Sequence, residues 1–146
     1  MGRNATFETF GGAGTLIADY TYWSVQARPK QATIGALVIL SHSQSTAFSD
    51  LPPNAFAELS EVVEDVETTT QKIFGYSKIN YLMLMMVDPH VHFHVLPRYS
   101  APVLFEGATF TDPGWPGQPD LGASDGLADA RLVAAALRRA WPRPVT

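Results

Sequence analysis

The residues of this chain best suited to chemistry are three histidines at alternate positions, His90, His92 and His94, out of four histidines in all. Apolar residues fill the places between them, as expected of a strand with one polar and one apolar face. Clustered rings that can carry positive charge contribute nothing to a hydrophobic core. The pattern therefore predicts a reactive or ligand-binding surface on a strand.

Two kinds of chemistry use histidines at this spacing. Neutral imidazoles bind transition metals, and a His-x-His pair on a strand supplies two ligands. Alternatively, one imidazole attacks phosphorus to form a phosphohistidine, while its neighbours donate hydrogen bonds to phosphate oxygens and a proton to the leaving group. Three rings on one straight strand would span about 13 Å, which suits the oxygens of a phosphate chain better than a single metal ion.

The elements that must position the histidines can be predicted from residue patterns. Residues 15–27 are rich in β-forming residues, residues 34–41 are a continuous apolar run of strand length, and residues 79–87 are a further apolar strand candidate. A long amphipathic helix is predicted to open near Pro53 and to end at Gly75, because proline is tolerated in a first turn and glycine is a common C-cap. The histidine strand follows these elements directly.

The chain changes character after the histidines. Residues 111–126 contain three prolines and four glycines and are predicted to form a long irregular loop. Trp115 in this loop offers a stacking surface for a base or an apolar contact for a partner. A second helix is predicted from Leu127 to Trp141, with Ser124 or Asp125 as its cap.

Composition narrows the class of protein. With 146 residues, 46% of them apolar and 16% charged, the whole chain, residues 1–146, is expected to form one globular domain with its core at about residues 15–100. A net charge of −4 without a basic run gives no support to nucleic-acid or membrane-surface binding. The absence of cysteine excludes disulfides and thiolate metal sites. Because no apolar stretch is long enough for a membrane span and no signal-peptide pattern is present, a cytoplasmic protein is expected.

The segment from His90 to Leu96 reads HVHFHVL, and it resembles the motif of the histidine triad family, in which three histidines alternate with apolar residues. The resemblance extends to GALVI from Gly35 and to FSDLP from Phe48, which match the strand and turn that precede the long helix in this family. The ending HVLPR at Arg98 is most similar to the branch containing the fragile histidine triad dinucleoside polyphosphate hydrolases.

The resemblance implies an α+β fold, with an antiparallel meander sheet of about five strands and two helices, in a homodimer. It implies a nucleotide hydrolase or nucleotidyl transferase acting at the α-phosphate of a dinucleoside polyphosphate or nucleoside phosphoramidate. His92 would be the nucleophile, His94 would contact the α-phosphate or leaving group, and His90 would orient the rings. Val25 and Leu37 would line the nucleoside pocket. No resident metal or cofactor is implied, only a divalent cation such as Mg²⁺ bound with the substrate.

Three places depart from the family pattern. Ala36 stands where many members carry a further histidine, and His42 lies an even number of residues beyond it, although a loop histidine is the simpler interpretation. Arg28, or Ala27 depending on one gap, falls where the family holds the ribose with an acidic or amide side chain, and an arginine there would attract a phosphate instead. A tight junction at Val87–Pro89 replaces a phosphate-holding loop. These differences leave a second function open, a nucleotide or phosphate sensor with little turnover.

Overall fold

A five-stranded antiparallel sheet organises the computed structural model, which describes residues 3–142 of the chain. Its strands are β1 (Leu16–Asp19), β2 (Trp23–Ala27), β3 (Leu37–Ser41), β4 (Lys78–Leu82) and β5 (His92–Arg98). They lie in the order β1-β2-β3-β5-β4. A separate hairpin of β6 (Val103–Phe105) and β7 (Ala108–Phe110) follows, and the helices are α1 (Ala5–Thr9), α2 (Pro53–Phe74) and α3 (Ala130–Ala140). The predicted α+β class with about five antiparallel strands is confirmed.

The segment predicted as strand at residues 15–27 is a hairpin of β1 and β2 rather than one strand. Glu58 of α2 holds its turn, because the Glu58 carboxylate accepts hydrogen bonds from the backbone N–H groups of Thr21 (3.1 Å) and Tyr22 (2.7 Å). Strands β2 and β3 are the centre of the fold, and every residue in both is buried. Strand β3 is a nearly continuous apolar run that does not reveal which side chains point to which face, whereas β2 alternates apolar residues with polar Ser24 and Gln26.

Helix α2 begins at Pro53 and ends at Phe74, and the left-handed backbone of Gly75 (φ +64°) forms its C-cap. Its buried residues are Ala55, Val62, Asp65, Val66, Thr69, Thr70 and Phe74. Phe56 is apolar, yet its side chain is 41% exposed. The buried face runs through Ala55 instead, and the Ala55 carbonyl accepts a hydrogen bond from the indole N–H of buried Trp23 at 2.7 Å.

Helix α3 packs with α2 on the same face of the sheet. It starts later than predicted, and its cap is Asp129 rather than Ser124 or Asp125, since the Asp129 carboxylate accepts from the backbone N–H of Arg131 at 2.9 Å. No helix in residues 3–142 is both long and apolar enough to cross a bilayer.

Helix α1 covers the opposite face of the sheet, in an N-terminal stretch for which the sequence predicted no element. The Asn4 side chain caps it by accepting from the backbone N–H of Phe7 at 3.3 Å. Phe7 and Phe10 pack on Val38 and Leu40 of β3 in a small cluster of their own. The sheet is therefore sandwiched between two helices on one side and a short N-terminal helix on the other.

The loop after β7 is irregular, as predicted, and its start is fixed to the end of β5. The Asp112 carboxylate accepts from the Arg98 guanidinium at 2.7 and 3.2 Å and from the backbone N–H of Tyr99 at 3.1 Å. Both side chains of this ion pair are almost fully buried. The loop is thereby anchored to the end of β5, the strand that carries His92 and His94.

Candidate active site

His92 and His94 lie on the face of the sheet that α1 covers. In the β3–β5 register His92 is opposite Leu40 and His94 is opposite Val38. Directly opposite residues share a face, and Val38 and Leu40 pack under α1. Two of the three motif histidines therefore point into the layer between the sheet and the N-terminal helix.

Val25 and Leu37 lie on the other side of the sheet. Val25 is opposite Ile39 and Leu37 is opposite Val95, and all four are fully buried in the core that packs against the long helices. The prediction that Val25 and Leu37 line a nucleoside pocket beside the histidines is corrected accordingly. Strand alternation assigns odd and even residues to opposite faces, and these two have the wrong parity for the histidine face.

His90 is not part of the histidine strand, which begins at His92. It lies near the end of an irregular connection at residues 83–91, in which Met85 has a positive φ of 49°. The predicted tight junction at Val87–Pro89 is therefore corrected to a longer loop. The His90 ring is 2.8 Å from the Thr6 hydroxyl of α1. In residues 3–142 no three histidine, aspartate or glutamate side chains converge to hold a metal ion.

The backbone of His90 fixes the tautomer of His92. The His92 Nδ1 atom is 2.6 Å from the His90 carbonyl oxygen. A carbonyl oxygen only accepts hydrogen bonds, so Nδ1 carries the proton and donates it. In its uncharged form His92 therefore has its lone pair on Nε2, which faces His94.

The two buried rings form a directed chain of hydrogen bonds. His92 Nε2 and His94 Nε2 are 3.3 Å apart, and the Arg28 Nε–H donates to His94 Nδ1 at 3.2 Å. Since His94 Nδ1 accepts, its proton is on Nε2 and points at the lone pair of His92. Burial, then the charge of Arg28, then that of His92, lower the pKa of His94 to about 4. His94 is thus a neutral hydrogen-bond donor at physiological pH.

Helix α1 closes this pair from solvent. The Phe10 ring lies 5.5 Å from the His92 ring and 5.7 Å from the His94 ring, measured between centroids. Exposed fractions are only 1% for His92 and 6% for His94. The Gln26 amide donates to the Phe7 carbonyl at 2.9 Å and so ties α1 to the sheet. Any ligand that reaches His92 must displace part of this cover.

Comparison with known proteins agrees with this geometry. The family model described as the HIT domain, the histidine triad domain, matches residues 16–101. The protein belongs to the HIT family. A search of curated proteins gave no significant match.

Solved HIT structures share the fold of this HIT protein at low identity. A histidine triad protein of Sinorhizobium meliloti superposes with a TM-score of 0.71 at 19% identity, over 95% of this chain and 96% of that one. One from Marinobacter aquaeolei gives 0.70 at 18%, over 96% and 97%. A hypothetical histidine triad nucleotide-binding protein of Sulfolobus tokodaii gives 0.67 at 12%, over 92% and 88%.

The sequence left the roles of Arg28 and His42 open, and the structure places both. Arg28 stands directly beside the triad through its bond to His94. His42 instead pairs with Asp19, with its Nε2 at 2.8 Å from the carboxylate, and Arg3 joins the same carboxylate. These three line a cavity of about 640 Å³ next to the start of α2. His42 thus does not stand in for the histidine missing at Ala36.

Trp115 lies half-buried in the loop anchored by Asp112, and its role remains a prediction. The HIT pattern in the sequence did not point to Phe10 or Thr6, although they contact all three motif histidines. The available signal was one polar and two aromatic residues at spacings of three and four in the short capped N-terminal stretch, namely Thr6, Phe7 and Phe10.

Proposed function

We propose that this HIT protein is a nucleotide hydrolase or nucleotidyl transferase in which His92 forms a covalent nucleotidyl intermediate. The observation that carries the proposal is the hydrogen bond from His92 Nδ1 to the His90 carbonyl, which holds the proton on Nδ1 and so makes Nε2 the nitrogen with the nucleophilic lone pair. A bond forms between Nε2 and the α-phosphorus while the bond to the leaving oxygen or nitrogen breaks. Water then cleaves the P–N bond and releases the nucleotide.

His94 supports this chemistry from the next position on the strand. With a pKa lowered to about 4 it is neutral, and its Nε2–H is directed at the place where the phosphorus would sit. It would donate a hydrogen bond to a phosphate oxygen or pass its proton to the leaving group. The backbone carbonyl of His90 orients the His92 ring, and this is the role of the first histidine of the triad.

The substrate class rests on the likeness to the fragile histidine triad branch. Dinucleoside polyphosphates and nucleoside phosphoramidates both present an α-phosphate with a leaving group in line. The Arg28 guanidinium beside His94 adds a fixed positive charge for a phosphate oxygen, with Mg²⁺ expected only on the polyphosphate. Trp115 would contact the base or leaving group.

We also propose that the protein works as a homodimer through its β4 edge. Strand β4 is at the end of the sheet, and the residues that follow it are apolar and exposed, with Met86 at 84% and Val87 at 91%. An apolar cavity of about 240 Å³ between α2 and the sheet lies beside β4. An unpaired edge with apolar side chains is the kind of surface that a second copy covers. Sedimentation or light scattering measures the mass directly.

A second candidate function is a nucleotide sensor with little turnover. The specific observation in its favour is the Phe10 cover, which leaves His92 only 1% exposed. A protein that opens only to bind, and binds without releasing product, would show such a closed site.

One experiment separates these functions. The full-length protein, the His92→Asn variant and a His42→Asn control are incubated with dinucleoside polyphosphates and nucleoside phosphoramidates radiolabelled at the α-phosphate. We expect turnover and an acid-labile labelled protein with the wild type and the control, and a loss of at least about 10²-fold with His92→Asn. Undiminished turnover by His92→Asn refutes the covalent mechanism. Nucleotide binding by calorimetry without product from the wild type favours the sensor.

A further inference from the structure

Hydrogen bonds to backbone carbonyl groups and to His94 hold Arg28 in place beside the triad. Arg28 directly follows β2, and its backbone N–H donates to the Ala36 carbonyl at 2.8 Å. In its side chain, Nη1 donates to the Lys30 carbonyl at 2.7 Å and Nε donates to His94 Nδ1 at 3.2 Å. Two hydrogen bonds from different nitrogens of a planar guanidinium leave it little freedom to rotate.

An arginine at this position imposes one protonation pattern on its histidine partner. Although burial lowers the pKa of Arg28, a guanidinium does not lose its proton in proteins and never accepts a hydrogen bond. Therefore His94 Nδ1 must be the unprotonated nitrogen. A carboxylate or carbonyl in the same place would require the opposite tautomer, with the proton on Nδ1 and a lone pair on Nε2.

The opposite tautomer would disable the pair. With lone pairs on both Nε2 atoms, His92 and His94 would face each other at 3.3 Å without a proton between them. His92 cannot correct this, because its own proton is held on Nδ1 by the His90 carbonyl. Only a hydrogen-bond donor at His94 Nδ1 places one hydrogen in the contact with Arg28 and one in the contact between His94 Nε2 and His92 Nε2.

We propose that Arg28 is a positioning residue that holds His94 in the Nε2–H tautomer, so that His94 presents a proton to the atom bound at His92. Arg28 acts through His94, in addition to any contact with a phosphate. The tautomer itself is a property of the free protein, whereas its catalytic consequence rests on the proposed nucleotidyl transfer. The two parts are measured separately.

The first measurement is the tautomer of His94 in the full-length, ¹⁵N-labelled protein. Long-range ¹H–¹⁵N spectra distinguish protonated from unprotonated ring nitrogens, and His94→Asn assigns the signal. We expect a single Nε2–H form in the wild type and in a Lys30→Met control, which removes a nearby exposed charge but keeps the carbonyl that Arg28 binds. Arg28→Met should give mixed tautomers and raise the pKa of His94 by about one unit. Arg28→Lys, a donor without a lone pair, should restore part of the Nε2–H form.

A folded Arg28→Met protein that keeps a single Nε2–H tautomer overturns the proposal. Backbone amide spectra show whether the variant is folded. If Arg28→Met does not fold, Arg28→Lys is measured in its place, since a lysine is a shorter donor of different shape and must still weaken the preference of His94 for the Nε2–H tautomer.

The second measurement is the pH profile of turnover in the same variants. If Arg28 acts through His94, Arg28→Met lowers kcat by about 10²-fold and moves the acid limb upward by about one pH unit, even where a lost phosphate contact also raises KM. A raised KM with the acid limb in place means that Arg28 only binds phosphate, and overturns the positioning role. Absence of turnover in the wild type would refute the proposed function, while the spectra would still decide the tautomer.

Discussion

The buried position of His94 predicts a specific loss of stability in acid. His94 is 6% exposed, and its pKa is lowered to about 4, first by burial, then by Arg28 and His92. In the unfolded chain a histidine has a pKa of about 6.5. Since the unfolded state binds the proton more readily, the stability is complete above about pH 6.5 and falls as the pH drops towards 4.

The size of this loss follows from the two pKa values. Each pKa unit corresponds to about 1.4 kcal/mol, so the full difference between about 6.5 and about 4 is worth roughly 3.4 kcal/mol. Between about pH 7.5 and about pH 4.5, His94 should account for roughly 2.5 kcal/mol of lost unfolding free energy. The variant His94→Asn removes the titrating ring, and its amide oxygen can replace Nδ1 as the acceptor for Arg28.

Urea unfolding of wild type and His94→Asn at both pH values measures this directly. Contributions from carboxylates are common to both proteins and cancel in the difference. We expect the loss on acidification to be smaller in the variant by roughly 2.5 kcal/mol, and an NMR titration of the wild type to place the His94 midpoint near 4. Equal losses in the two proteins, or a midpoint near that of a free histidine, would refute the reasoning from burial.

Three further changes test other parts of the structure. Phe10→Ala removes the ring over the triad and should raise the pKa of His94 by about one unit or more by NMR, whereas an unchanged midpoint would mean that other groups bury it. Asp112→Ala leaves a buried guanidinium without its carboxylate and should cost about 3–5 kcal/mol in urea unfolding, against less than about 1 kcal/mol for exposed Asp120→Ala in the same loop; similar costs would contradict the anchoring role. Gly35→Ala forces a side chain into a left-handed backbone (φ +85°) with its Cβ 2.9 Å from the Phe74 ring, so a loss of about 1–3 kcal/mol is expected, and an unchanged melting temperature would show that the turn relaxes.

The parts of the fold predicted correctly are those with a local periodic pattern. Alternation placed His92 and His94 together, and the three-and-four spacing located α2 between Pro53 and Gly75. The family resemblance implied that Val25 and Leu37 line the nucleoside pocket, yet both side chains lie on the face away from His92 and His94. Both faces of β3 are apolar, so for Leu37 only the register with a neighbouring strand decides the orientation.

The contacts that tune the site join distant parts of the chain. Arg28 reaches His94 across 66 residues, and Thr6 reaches His90 across 84. The sequence singled out Arg28 as an unusual residue, but it suggested a phosphate ligand because nothing local indicates a neighbour so far along the chain. Phe10 was missed for the same reason.

The Phe10 cover connects the protonation of the triad to its accessibility. A buried aromatic side chain removes roughly 150–250 Å² from water, so lifting this ring, which is only 7% exposed, costs about 4 kcal/mol at the lower end of that range. At about 1.4 kcal/mol per factor of ten, roughly one molecule in a thousand would be open without a ligand. A nucleotide recovers this cost if its flat aromatic base takes the place of the ring, whereas inorganic phosphate has no such group. On the proposed function we therefore expect the cover to favour nucleotides over simple phosphates at His92, while its burial of His94 keeps that ring neutral.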